Sequence, residues 1–77
     1  MAPLTRDNLA ALLKAKIEAQ AAYSAAVRES LDGERNAIPA DEQIARDLRR
    51  RRTLQASCDA DNAYHDALDS LLASEAA

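Results

Sequence analysis

Large apolar residues recur along the first half of the chain at Leu9, Leu12, Leu13, Ile17, Tyr23, Val27 and Leu31, in steps of three, four and their multiples, with alanines between. That spacing predicts one amphipathic helix over about residues 6–31. Thr5 or Asp7 is placed to cap its start by accepting a bond from a free backbone N–H. Gly33 follows the last periodic residues, and its freedom at positive φ predicts a left-handed cap there.

The stretch 33–38 reads as a connection, after which Pro39 suits the first turn of a second helix and Asp41 and Glu42 sit where the helix dipole favours negative charge. Apolar positions resume at Ile44, Leu48, Leu54, Cys58, Tyr64, Leu68, Leu71 and Leu72, with no Gly or Pro after Pro39. One helix over about 40–74 is the simplest reading. Ser57, Asp59, Asp61 and Asn62 compete for backbone hydrogen bonds, so the alternative is a break near 57–62 and a three-helix bundle.

A short link makes the two helices antiparallel neighbours. With residue i facing about residue 72 − i, Val27 falls near Ile44 and Leu48, Ile17 near Leu54, Leu13 near Cys58, and Leu9 near Tyr64. Lys14 then approaches Asp59, and Glu18 the arginine run. Beyond about residue 67 this register leaves the second helix uncovered, so Leu68, Leu71 and Leu72 overhang. The fold expected is all-α: residues 1–77 form a single helical domain, an antiparallel hairpin completing a four-helix bundle as a dimer.

Composition supports association. The chain has 77 residues and 48% hydrophobic content, but it has no Phe or Trp and only Tyr23 and Tyr64 as aromatics. Much of the apolar fraction is alanine, which favours helix and buries little area. One Gly and two Pro exclude turn-rich sandwiches, barrels and nucleotide-binding α/β units. A single small core needs outside support, and one cysteine, Cys58, allows no internal disulfide. The lone cysteine, the absence of a signal-like start and the absence of a long apolar run lead to the expectation of a cytoplasmic protein without a membrane span.

Charge is polarised along the second helix, although the chain as a whole carries only −3. Arg46, Arg49, Arg50, Arg51 and Arg52 form a basic block, and Asp59, Asp61, Asp66, Asp69 and Glu75 follow. Four consecutive arginines point all round a helix, which places Arg51 beside the seam in need of an acidic partner. The block is a solvated face at its plainest. Alternatively, two antiparallel copies of the second helix crossing near Gln55 would set Arg49–Arg52 against Asp59 and Asp61. Phosphate contact is the third option, opposed by the net acidity and the lack of stacking aromatics beside the run.

His65 has Asp61 four residues before and Asp69 four after, with Cys58 seven before. A zinc site usually wants four ligands and a thiolate nucleophile wants a pocket, so no metal, cofactor or catalysis is expected. The function expected is a protein–protein interaction module of adaptor, chaperone or inhibitor type. Its partner surface would be Tyr64, Leu68, Leu71 and Leu72, spaced for helix-in-groove docking, with Arg49, Arg50 and Arg52 giving orientation. The alternative is a nucleic-acid-binding regulator using Arg46–Arg52.

Overall fold

The computed structural model describes residues 5–76, which form two helices, α1 (Arg6–Arg35) and α2 (Ala40–Ala76), packed against each other as a hairpin. It is a rod of 57 × 18 × 15 Å, and among the described residues there is no strand. Thr5 caps α1 as expected, its side chain accepting from the Asn8 N–H at 3.2 Å. α2 runs unbroken through 57–62, which overturns the three-helix alternative. With thirty-seven residues of continuous helix around them, Ser57, Asp59, Asp61 and Asn62 are held in place despite their individual preferences.

The turn differs from expectation. α1 continues through Gly33 to Arg35, and Asn36 closes it, with both its backbone N–H and its side-chain Nδ2 donating to the Asp32 carbonyl. Positive φ falls on Ala37 (φ 50°) instead of glycine. Gly33 serves close approach: a Cβ there would fall on Gln43 Oε1 and within 2.9 Å of Ile38 Cδ1.

The extra turn of α1 shifts the pairing. Ser30–Asp47, Lys16–Asp61 and Gly33–Gln43 place residue i level with about residue 76 − i, one turn beyond the expected 72 − i. The end of α2 is therefore better covered than predicted: Ala67 is buried, Leu68 and Leu71 are half-buried, and Leu72 is exposed.

The seam itself is the larger correction. Burial recurs in alternating steps of three and four at Leu9, Leu12, Lys16, Ala19, Tyr23, Ala26, Ser30 and Gly33 on α1. On α2 it recurs at Gln43, Arg46, Arg50, Thr53, Ser57, Ala60, Tyr64, Ala67 and Leu71. This is a seven-residue repeat of the coiled-coil kind, but filled mostly by small and polar side chains. Leu13, Ile17, Ile44, Leu48 and Leu54, all expected to face the opposite helix, are exposed. Small residues let the helices approach closely, and side-chain hydrogen bonds then substitute for apolar filling. Ser30 donates to Asp47 Oδ1 at 2.7 Å, and Gln43 Nε2 donates to the Ser30 carbonyl at 3.1 Å and to Asp47 Oδ1 at 2.9 Å.

Candidate interaction surface

Written as abcdefg with the seam at a and d, the repeat gives the hairpin two unlike sides. In an antiparallel pair, e positions face e and g positions face g. The contacts follow that rule: Arg49 and Glu29, both at g, form an ion pair at 2.6 Å. Glu34, Asp47 and Leu54, all at e, line one shallow depression with Tyr23, Arg50 and Arg51.

On the e/b side α1 presents Leu13, Ile17, Val27 and Leu31, and α2 presents Ile44, Leu54, Cys58, Leu68 and Leu72. Among the described residues, six of the seven exposed large aliphatics lie there, with Leu48 at the outer edge. Ile17 is 56% exposed, Ile44 57% and Leu72 67%. On the g/c side no apolar residue among those described exceeds alanine; Ala11, Ala15, Ala22, Ala45, Ala56 and Ala63 alternate there with charged groups. An amphipathic helix usually turns its apolar stripe toward its neighbour. Here both helices turn their large aliphatics sideways, in the same direction, onto one face that they share with Gln20, Asp47, Arg51, Asp61 and His65.

The sequence-derived partner residues are divided by this geometry. Leu68 and Leu72 lie on the apolar face, whereas Tyr64 and Leu71 belong to the seam. They do not act together as an overhanging set, because the longer α1 brings the seam past them. The arginines are divided too. Arg46 donates to the Glu29 carbonyl at 2.8 Å and Arg49 pairs with the Glu29 carboxylate. Arg50, not Arg51, takes the seam position. Arg51 is exposed on the apolar side, and Arg52 is exposed on the opposite one. The expected pairs Lys14–Asp59 and Glu18–arginine do not form. Lys14 reaches Glu18 at 4.0 Å, and Glu29 takes the arginines.

A polar cluster crosses the hairpin at Lys16. Its ammonium lies 3.0 Å from Asp61 Oδ1 and 3.2 Å from His65 Nε2, and 5.2 Å from the centre of the Tyr64 ring. Tyr64 and His65 meet edge-on. Lys16 lowers the Asp61 pKa by hydrogen bond and charge, against a smaller opposing effect of burial. At the other end, hydrogen bonds from Ser30 and then Gln43, aided by the charge of Arg50, lower that of Asp47. Cys58 is exposed and free, and two helical turns, roughly 10 Å, separate it from His65. No thiolate–imidazole pair forms. Among the described residues no group of three or more His, Cys, Asp or Glu is placed to hold a metal ion, and no helix is long and apolar enough to cross a membrane.

No family model matches the chain, and neither the curated proteins nor the solved structures contain a match to it.

Proposed function

We propose that this chain is a non-enzymatic protein–protein interaction module that works by laying its apolar e/b side against the helices of a partner. One observation carries the reading: among the described residues, six of the seven exposed large aliphatics lie on a single side, and no apolar residue larger than alanine is on the other. Exposed large aliphatics gathered on one side and interspersed with polar groups are characteristic of interaction sites. Energetics support it, because the buried apolar residues are Leu9, Ala26 and Ala67, and two alanine methyls bury little area. Covering the face would add the apolar burial that the seam lacks. The split arginine run lends less support to nucleic-acid binding, since phosphate tracking needs the basic groups on one face.

Cys58 sits in the middle of this face and is the only thiol in the chain, which makes it the probe. In cells producing the protein, Cys58 should react with a permeant maleimide far more slowly than a cysteine placed at Ala22 on the opposite face of a Cys58→Ala chain. Both positions are exposed in the hairpin alone. Equal labelling of the two contradicts the proposal.

A further inference from the structure

Resting on the reading that the apolar side docks a partner, we infer that its occupant is a second copy of this chain, with its loop at the opposite end. α1 then lies antiparallel to α1 and α2 to α2, about a twofold axis crossing α1 near Gln20 and α2 near Ala56.

The order of residues along the face carries this assignment. On α2, five pairs of e and b positions are equidistant from Ala56: Ala40 and Leu72, Ile44 and Leu68, Asp47 and His65, Arg51 and Asp61, Leu54 and Cys58. Each pair is apolar with apolar or base with acid. On α1, the e positions Arg6, Leu13, Gln20, Val27 and Glu34 are centred on Gln20. A twofold axis there sets Arg6 against Glu34, Leu13 against Val27 and Gln20 against itself, while the b residues Ile17 and Leu31 fall level with Tyr23 and Leu9 of the seam. An isologous interface requires such self-complementarity.

The two centres are also level with each other. The register within the hairpin places Gln20 beside about Ala56, so one axis serves both helices. Nothing in the α2 pattern imposes that on α1. The other symmetric packing, with both loops at one end, sets α1 against α2 of the second copy. At the hairpin's own register it sets Leu13 between Asp61 and His65, Val27 between Asp47 and Arg51, and Arg6 between Leu68 and Leu72. Charges against aliphatics cost desolvation without a partner, although Ile17 and Leu31 then fall beside Cys58 and Ile44.

Size and free charges agree. A face of 57 × 18 Å offers on the order of 1000 Å², against the ~800 Å² per partner of a stable complex. Among the described residues, Arg6, Glu34 and Arg51 have no side-chain hydrogen bond or ion pair within the hairpin, and the packing supplies one to each.

Arg6 and Glu34 provide the test, because 28 helical residues, about 42 Å, keep them from meeting within one chain. Sedimentation equilibrium of the full chain should give twice 8.3 kDa. Arg6→Glu and Glu34→Arg should each weaken the dimer about tenfold, and the double variant should return to within about threefold of the wild type. Circular dichroism checks that all variants keep their helix content. Restoration in the double variant supports the twofold packing. A dimer that the double variant weakens further overturns it. A chain still at 8.3 kDa at about 0.5 mM overturns the second copy as occupant. If Cys58 is nevertheless shielded in cells, the docking face itself stands and its partner is a different protein.

Discussion

The Ser30 hydroxyl, fully buried, donates a 2.7 Å hydrogen bond to Asp47 Oδ1 and so joins α1 to α2 one turn from the loop. It is a charge-assisted bond between helices whose apolar surfaces point elsewhere. Ser30→Ala removes the donor without adding bulk. The expected cost is about 1–2 kcal/mol in urea denaturation, and the Asp47 carboxyl should titrate closer to the ordinary value of 3.8. Carboxyl-detected NMR reads the second effect independently of the first.

Gly33 and Gln43 form a coupled pair. A methyl at 33 displaces the Gln43 amide, which donates to both the Ser30 carbonyl and Asp47. Gly33→Ala should therefore destabilise the hairpin by about 1 kcal/mol, the lost bonds outweighing the helix propensity gained. In a Gln43→Ala background the same change should stabilise it by up to about 1 kcal/mol. A double-mutant cycle by thermal denaturation shows whether the sign reverses.

Ala37 adopts φ 50°, a conformation that costs an L-residue with a Cβ about 1 kcal/mol. Ala37→Gly should raise stability by roughly 0.5–1 kcal/mol without changing the mass measured by sedimentation. A loss of stability would mean that the turn closes differently.

Acid should loosen the hairpin through Asp47 and Asp61. Both carboxyls are held below their ordinary 3.8 in the folded state, so the unfolded chain binds those protons more readily. Their contribution is complete above the ordinary carboxylate range and is lost as pH falls through the lowered values. The urea midpoint should be nearly flat from pH 7 to about 5 and should fall below about pH 4. Asp47→Asn with Asp61→Asn should flatten that acid fall, whereas an unchanged slope would assign it to other groups.

Periodicity made the helices, the Thr5 cap and the antiparallel pairing legible in the sequence. It did not reveal which way the helices turn. A step pattern of three and four identifies an apolar stripe but not its target, and the usual inference sends it to the nearest helix. Here a second repeat, offset from the first and built of Ala, Ser, Thr, Gly and polar residues, makes the seam. Its signal lay in Ala19, Ala26, Ser30 and Gly33 on α1 and Thr53, Ser57 and Ala60 on α2, small residues that hydrophobicity scales weight lightly. Gly33 misled for a related reason: a glycine near a helix end reads as a cap, whereas here it admits Gln43. That misplacement moves the register by a turn and leaves Leu68 and Leu71 uncovered, whereas the structure half-buries both. Leu68 and Leu72 were identified as surface residues, but the larger part of the face, from Leu13 to Leu54, was assigned to the core.

The most direct measurement is sedimentation equilibrium on two pairs of substitutions of equal charge, with helix content followed by circular dichroism. Ile17→Glu with Leu54→Glu places carboxylates in the middle of the apolar face, and Ala11→Glu with Ala45→Glu places them on the opposite one, all at exposed positions. The expected result is a wild-type mass for the alanine pair and 8.3 kDa for the Ile17/Leu54 pair. An Ile17/Leu54 variant that sediments like the wild type would contradict the assignment of this face as the surface through which the chain associates.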